Sequence, residues 1–176
     1  MRTPFDILAD YEQRSLLHAV QLPARELGPE TWRGVGYRVG NHRLVSQFGE
    51  VVEILSMPPV TPVPGAQPWL LGIGNLRGNL FPVVDLKLFL EGERTVLHEG
   101  QRVLVMRQQG GDVALTIDEL YGQRSFGEEQ AIDPAPLAQG RYAHFVDRAF
   151  HSDGADWSVF SLSRLARTPE FRQAAA

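Results

Sequence analysis

The chain has 176 residues, of which 43% are hydrophobic and 22% charged, a composition typical of one globular domain. It contains no cysteine, which excludes disulfide bonds and thiolate metal sites, and its formal net charge of −4 argues against nucleic acid and anionic lipid as partners. No apolar run approaches the roughly 18 residues that a spanning helix requires, and no signal peptide is recognisable, so we expect a cytoplasmic protein without direct membrane insertion.

The N-terminal residues 1–32 predict a helical extension followed by a linker. Apolar residues recur at helical spacing over residues 5–20, and Pro23 and Gly28 then end the helical pattern. Such a helix either packs on the body of the domain or docks on another protein. The sequence leaves both interpretations open.

From Trp32 onward the pattern changes to short strands separated by turns. Gly34 and Gly36 are predicted to face a closely approaching segment, and their spacing misses the dinucleotide-binding motif by one residue. In the apolar segment 51–56, Glu53 either lies on an exposed strand face or forms an ion pair, for which Arg77 is the candidate partner.

Residues 70–86 predict a β-hairpin, around which the rest of the chain is organised. Two apolar runs flank the polar centre Arg77-Gly78-Asn79, in which Gly78 and Asn79 are suited to the positive φ angles of a tight turn. A guanidinium at the tip of such a turn is well suited to gripping a carboxylate or a partner's backbone.

After the hairpin, Asp85 is predicted to cap a short helix that ends at Gly92. A buried strand is expected at residues 102–106 and an alternating strand at residues 113–118. A closing hairpin at residues 143–162 precedes a terminal helix capped by Ser161 or Ser163. Nine or ten short strands at regular spacing favour antiparallel barrels or a sandwich.

Residue patterns that would support catalysis or metal binding are weak. The densest group of possible ligands comprises His144, Asp147, His151, Asp153 and Asp156. Aspartate is favoured in turns for backbone reasons, so we expect no metal site there. There is no nucleophile elbow, and the adjacent Asp118 and Glu119 point to opposite faces of a strand. We therefore expect neither catalytic activity nor a cofactor.

The stretch GIGNLRGNLFPVVDL at residues 72–86 closely resembles the Gly-x-x-Asn-Leu-Arg-Gly-x-x-x-Pro-Val-Val-Asp-Leu run of CheW-like chemotaxis coupling domains. The upstream VVEI at residues 51–54 is similar to another segment of that family, and the resemblance covers roughly residues 33–167. The N-terminal segment resembles the PilI branch, whose members serve type IV pilus twitching motility.

The resemblance implies a mainly β fold of two small SH3-like five-stranded antiparallel barrels side by side, with N- and C-terminal helices. The implied organisation is an extension at residues 1–32, a CheW-like domain at 33–167 and a C-terminal tail at 168–176. It further implies a non-catalytic adaptor that binds a methyl-accepting chemoreceptor signalling tip and a chemotaxis histidine kinase through its CheA-like regulatory domain, recruited to membrane-bound receptor arrays.

A groove between the two barrels, lined by Val51 and Ile54 and fixed by a Glu53–Arg77 pair, would accept an amphipathic receptor helix. The residues expected to bind a partner or support this groove are Val51, Glu53, Ile54, Asn75, Arg77, Gly78, Val83 and Asp85. The alternative interpretation is a stand-alone small-barrel module that binds a small molecule or nucleic acid.

Overall fold

The structure is a computed structural model that describes residues 31–173, so the predicted N-terminal helix lies outside the described residues. The strands are β1 (Trp32–Val39), β2 (His42–Gln47), β3 (Val51–Ser56), β4 (Val60–Thr61), β5 (Leu70–Leu76), β6 (Asn79–Val84), β7 (Arg102–Gln108), β8 (Gly111–Ile117), β9 (Glu119–Phe126), β10 (Ala131–Ile132), β11 (Val146–Ser152) and β12 (Ala155–Phe160). The α-helices are α1 (Leu86–Glu91), α2 (Leu162–Arg167) and α3 (Pro169–Arg172). Short 3₁₀ helices occupy Phe48–Glu50, Glu128–Gln130 and Gly140–His144.

The strands form two six-stranded sheets, with orders β10-β11-β12-β2-β1-β9 and β3-β7-β8-β6-β5-β4. We call them the first and second sheet. In each sheet one member, β10 or β4, has only two residues, so five longer strands carry the sheet. The mainly β fold in two units is therefore confirmed. Each sheet also contains one parallel pair, β12 with β2 and β6 with β8, which the purely antiparallel prediction did not include.

The two sheets repeat one topology, although no repeat is visible in the sequence. From its β9 edge, the first sheet has the order β9-β1-β2-β12-β11-β10, and each strand matches the strand at the same position of the second sheet. The four strands β3–β6 are equivalent to β9–β12, while β7 and β8 are equivalent to β1 and β2. The first and last described strands, β1 and β12, thus lie in the first sheet, and the strands between residues 51 and 117 build the second.

In each of the two equivalent four-strand segments, β3–β6 and β9–β12, a capped helix follows directly after the last strand. The side chain of Asp85 accepts a hydrogen bond from the Leu88 amide at the start of α1, and Ser161 accepts one from the Arg164 amide at the start of α2. Gly92 ends α1 with a φ of 76°, which glycine adopts without a steric penalty. Both predicted caps are confirmed, whereas the terminal helix is divided before Pro169 into two short helices.

Alternating side chains in the sheets build three hydrophobic cores. On β7, Val103 and Val105 face a small core of the second sheet, while Leu104 and Met106 face a large core shared with residues of the first sheet. This double burial explains the uninterrupted apolar run in that strand. The first sheet has its own small core around Phe126, Phe150 and Trp157.

The shared core also receives the helices. Phe171 of α3, in the segment predicted as a C-terminal tail, is buried and stacks on Trp69 with ring centroids 5.8 Å apart. Phe89 of α1 packs edge-on against both rings. Among residues 31–173, no helix is long and apolar enough to cross a membrane.

A polar network crosses the edge of the shared core. Oε1 of Glu91 accepts a 2.8 Å hydrogen bond from the Tyr142 hydroxyl and lies 3.1 Å from Nδ1 of His42. The His42 and Tyr142 rings stack with centroids 3.9 Å apart. Burial raises the pKa of Tyr142, and the hydrogen bond to Glu91 and the charge of that carboxylate raise it further. Burial also raises the pKa of Tyr37, whose hydroxyl is hydrogen-bonded to the hydroxyl of Ser46.

Candidate partner-binding surface at the hairpin tip

The β5–β6 hairpin forms as predicted, but its turn is one residue earlier than expected. Leu76 pairs with Asn79, so the two turn residues are Arg77, with a φ of 53°, and Gly78, with a φ of 82°. Two successive positive φ angles are characteristic of a type I′ turn, whose twist matches that of the flanking strands. Arg77 therefore adopts a conformation that costs a non-glycine residue about 1 kcal/mol.

The tip of this hairpin is not paired with its neighbouring strand β8. On the β8 side, only Val83 and Val84 of β6 are paired, which leaves the stretch from Asn79 to Pro82 without a neighbour in the ladder. Leu80 is consequently 70% exposed, although its strand is otherwise largely buried. An exposed leucine on a rigid strand supplies apolar area for a contact with another molecule.

A groove of about 800 Å³ lies beside the tip, and we call it the hairpin groove. Its walls are formed by Pro59, Thr61, Ile73, Asn75, Arg77, Gly78 and Leu80. The structure thus brings together Asn75, Arg77 and Gly78 of the predicted site. Leu80 and Ile73 were missed, since the alternating pattern alone does not show where the pairing with a neighbouring strand stops.

The guanidinium of Arg77 is available for binding. It forms no ion pair or hydrogen bond with any side chain of residues 31–173, and the residue is exposed. The groove therefore offers apolar side chains beside one free cation. This combination fits a partner surface with an apolar centre and a carboxylate or carbonyl near it.

The predicted Glu53–Arg77 ion pair is not formed within the described structure. Glu53 lies on β3 and pairs across the ladder with Val105 of β7, whereas Arg77 follows β5. Three strands separate β3 from β5 in the sheet order. Glu53 is exposed, which agrees with the other interpretation considered for it, an exposed strand face.

A β-bulge between Val51 and Glu53 determines which side chains of β3 are exposed. Val51 and Ile54 are half-buried and pack against the shared core, while Val52, which was not singled out from the sequence, is 42% exposed. A groove at this edge of the sheet would therefore expose more of Val52 than of Val51 or Ile54.

Val83 and Asp85 cannot contact a partner directly in this structure. Val83 is fully buried in the core of the second sheet, and Asp85 is 2% exposed. Besides the Leu88 amide, the Asp85 carboxylate accepts hydrogen bonds from the amide and the hydroxyl of Thr95, at 2.9 and 2.6 Å. The contribution of Asp85 is to join α1 to the loop that follows it.

The candidate metal ligands are distributed among separate contacts. Oδ2 of Asp147 lies 2.7 Å from Nη2 of Arg164, and Nδ1 of His151 lies 2.6 Å from Oδ1 of Asp156. Asp153 occupies the turn of the last hairpin with a φ of 52°. Within residues 31–173, no group of three or more histidine, aspartate or glutamate side chains has a geometry that could hold a metal ion.

Comparison with known proteins places the chain in a family. Residues 33–170 match the CheW-like domain. The chain belongs to the CheW-like family. The resemblance that the hairpin sequence predicted is thereby confirmed.

Two relatives and one solved structure of the CheW-like family show how far the similarity extends. The chain is 34% identical to protein PilI of Pseudomonas aeruginosa, over 97% of this chain and 96% of PilI. It is 28% identical to the chemotaxis protein CheW of Helicobacter pylori, over 64% of this chain and 67% of that protein. The scaffolding protein TtCheW of Thermoanaerobacter tengcongensis shares the fold with a TM-score of 0.66 at 20% identity, covering 78% of this chain and 93% of TtCheW.

Proposed function

We propose that this CheW-like chain is a non-catalytic adaptor that couples methyl-accepting chemoreceptors to a chemotaxis histidine kinase in a system controlling type IV pilus motility. The observation that carries the proposal is the hairpin groove, where the exposed Leu80 and the free Arg77 project from a rigid hairpin. Similarity to PilI over nearly the whole chain supports the link to pili. The adaptor acts in the cytoplasm and is recruited to membrane-bound receptor arrays.

The hairpin groove is suited to a contact of moderate size. Leu80 and Ile73 provide an apolar centre, and Asn75 and Arg77 provide a polar rim that fixes orientation. An amphipathic helix from a receptor tip would place its apolar stripe against the centre and a carboxylate near the guanidinium. The CheA-like regulatory domain of the kinase would then use a different surface, so that the adaptor binds both partners at once.

The buried members of the predicted site support this surface indirectly. Val83 of β6 packs in the small core of the second sheet, and Asp85 fixes the start of α1 directly after that strand. Together they hold β6 at its base, while its tip is not paired with β8. Rigid support matters because binding energy is lost when a loop must be ordered on association. Val51, Glu53 and Ile54 belong to the opposite edge strand and would form a second contact region with Val52.

Calorimetric titration of the full chain with a receptor signalling-tip fragment, and separately with a kinase regulatory domain, tests the proposal. We expect Leu80→Ser to weaken binding of one partner by about tenfold, since a buried leucine side chain contributes about 1.5–3 kcal/mol. Val96→Ser is the matched control, because Val96 is 85% exposed and lies outside the groove. Equal losses in both variants, or no binding by the unmodified chain, would refute the assignment.

The alternative of a small module for nucleic acid has less support. Nucleic-acid binding relies on clustered cations, whereas this chain has 17 lysines and arginines against 21 acidic residues. Many of the described arginines are also paired with carboxylates, among them Arg38, Arg141, Arg148 and Arg164. The hairpin groove accordingly favours a protein partner.

A further inference from the structure

A cluster of two arginines and two aromatic rings lies on the first sheet, away from the hairpin groove of the second. We call it the arginine–aromatic cluster, and it consists of Arg43 on β2, Tyr121 and Arg124 on β9, and Trp157 on β12. Tyr121 and Trp157 pack edge to face with centroids 5.3 Å apart and belong to the small core of that sheet. The arginines cover the rings from outside.

Both guanidinium groups are held by the same two rings. The Arg43 guanidinium carbon lies 5.7 Å from the Tyr121 centroid and 5.8 Å from that of Trp157, and the corresponding Arg124 distances are 5.9 and 5.0 Å. Cation–π contacts of this kind reduce the mobility of a side chain that is otherwise flexible. Two positive charges therefore lie against the same pair of rings, and an anion that contacts both would offset their repulsion.

Neither charge of the cluster is neutralised by the protein. Within the described part of the chain, Arg43 and Arg124 form no ion pair or side-chain hydrogen bond, in contrast to Arg38, Arg141, Arg148 and Arg164. Nε of Arg124 is also shielded from solvent and has no hydrogen-bond partner.

The backbone of β1 makes room for this arrangement. A Cβ atom at Gly36 would lie 2.9 Å from Cγ of Arg124 and 3.1 Å from Cζ3 of Trp157. Glycine at this position thus lets the Arg124 side chain lie across the strand beside the indole. The glycine that the sequence predicted to face a closely approaching segment faces these two side chains.

We propose that the arginine–aromatic cluster binds a carboxylate of an acidic segment from a protein partner. A glutamate or aspartate carboxylate that contacts both guanidinium groups would neutralise their charges and accept hydrogen bonds from their terminal N–H groups, while aliphatic neighbours contact the exposed part of Tyr121. Because the chain has a net charge of −4, an acidic segment is disfavoured over the rest of its surface. The cluster therefore determines where such a segment binds. This binding is separate from that of the hairpin groove and does not depend on it.

The test is an NMR titration of the full chain, observing the arginine Nε–H and tryptophan indole N–H signals. The probes are a terminally capped hexaglutamate peptide, the neutral hexaglutamine peptide with the same caps, and inorganic phosphate, all at constant ionic strength. We expect the glutamate peptide to shift the Arg124 Nε–H and Trp157 indole signals, and the glutamine peptide to leave them unchanged. Arg43→Gln and Arg124→Gln should each weaken the glutamate peptide's binding by about tenfold.

Controls separate this role from a structural one. Arg33→Gln removes an exposed arginine of the same sheet and should leave the titration unchanged. Arg43→Lys keeps the charge but not the two-pronged donor geometry, and we expect it to restore only part of the affinity. If Arg124→Gln fails to fold, the exposed Arg43 variants still decide the question. Unshifted signals, equal shifts in all variants, or shifts with phosphate but not with the glutamate peptide would overturn the proposal.

Discussion

The hydroxyl of Tyr142 donates a 2.8 Å hydrogen bond to Oε1 of Glu91, a residue 51 positions earlier in the chain. The bond links α1, which follows β6 of the second sheet, to the 3₁₀ helix that precedes β11 of the first sheet. Because a buried phenol beside a carboxylate resists ionisation, this contact couples the stability of the joined sheets to alkaline pH.

The first prediction concerns that pH dependence. Burial raises the pKa of Tyr37 and Tyr142 above the value of about 10 for an unfolded tyrosine, so above pH 10 the unfolded chain releases protons that the folded chain retains. Each tyrosine then lowers the free energy of unfolding by about 1.4 kcal/mol per pH unit. Urea unfolding between pH 8 and about 11 measures the slope.

Tyr142→Phe provides the matched comparison for this prediction. It removes one titrating group, so the loss of stability above pH 10 should be less steep by about 1.4 kcal/mol per pH unit, although the variant is less stable at neutral pH. A slope identical to that of the unmodified chain would show that Tyr142 ionises normally in the folded state.

The second prediction concerns the Asp85 carboxylate, which accepts three hydrogen bonds in a buried position. Asp85→Ala should lower the free energy of unfolding by about 2–4 kcal/mol, because two Thr95 donors lose their acceptor together with the helix cap. Ser161→Ala removes only the equivalent cap of α2 and should cost about 1 kcal/mol. Chemical denaturation measures both, and similar losses would contradict the role of the Thr95 contacts.

The third prediction separates stability from binding at the hairpin turn. Asparagine tolerates a positive φ better than arginine, so Arg77→Asn should raise the free energy of unfolding by about 0.5–1 kcal/mol. The same change removes the free guanidinium and should weaken partner binding. Thermal unfolding and calorimetric binding are measured on one preparation, with Gly78→Val as the comparison that destabilises the turn. A gain in both stability and affinity would show that Arg77 takes no part in binding.

The fourth prediction follows from the separation of Glu53 and Arg77. Because no direct pair forms, the effects of Glu53→Arg and Arg77→Glu on stability and on partner binding should add within about 0.5 kcal/mol. A double-mutant cycle measures this directly. Recovery of lost binding in the double variant would demonstrate an interaction that the described contacts do not contain.

Local features of the sequence were sufficient to predict several elements. The hairpin, the Asp85 and Ser161 caps and the turn before Trp157 are encoded by neighbouring residues, and the structure contains them all. Among residues 31–173, twelve strands occur where nine or ten were expected. Residues 123–126 were not singled out as a strand from the sequence, yet β9 continues to Phe126, because pairing with β1 satisfies its backbone.

The candidate site was only partly predictable. Asn75, Arg77 and Gly78 were found because a turn and its flanking residues are contiguous in the chain, and they do line one groove. The exposure of Leu80 accompanies the end of the β6–β8 ladder at Val83, which no local pattern reports. Pairing of Glu53 with Arg77 was inferred from opposite charge alone, and charge does not specify which strands become neighbours.

The sequence by itself determined the mainly β character, the hairpin with its arginine and, through that hairpin, the CheW-like family. Strand alternation and turn chemistry act over a few residues and can therefore be read locally. Only the tertiary structure decided that the first and last described strands share one sheet, that the two sheets repeat one topology, and that Arg43 and Arg124 lie against the same two rings. These relationships arise from burial between segments far apart in the chain, where many pairings satisfy the same local pattern and packing selects one.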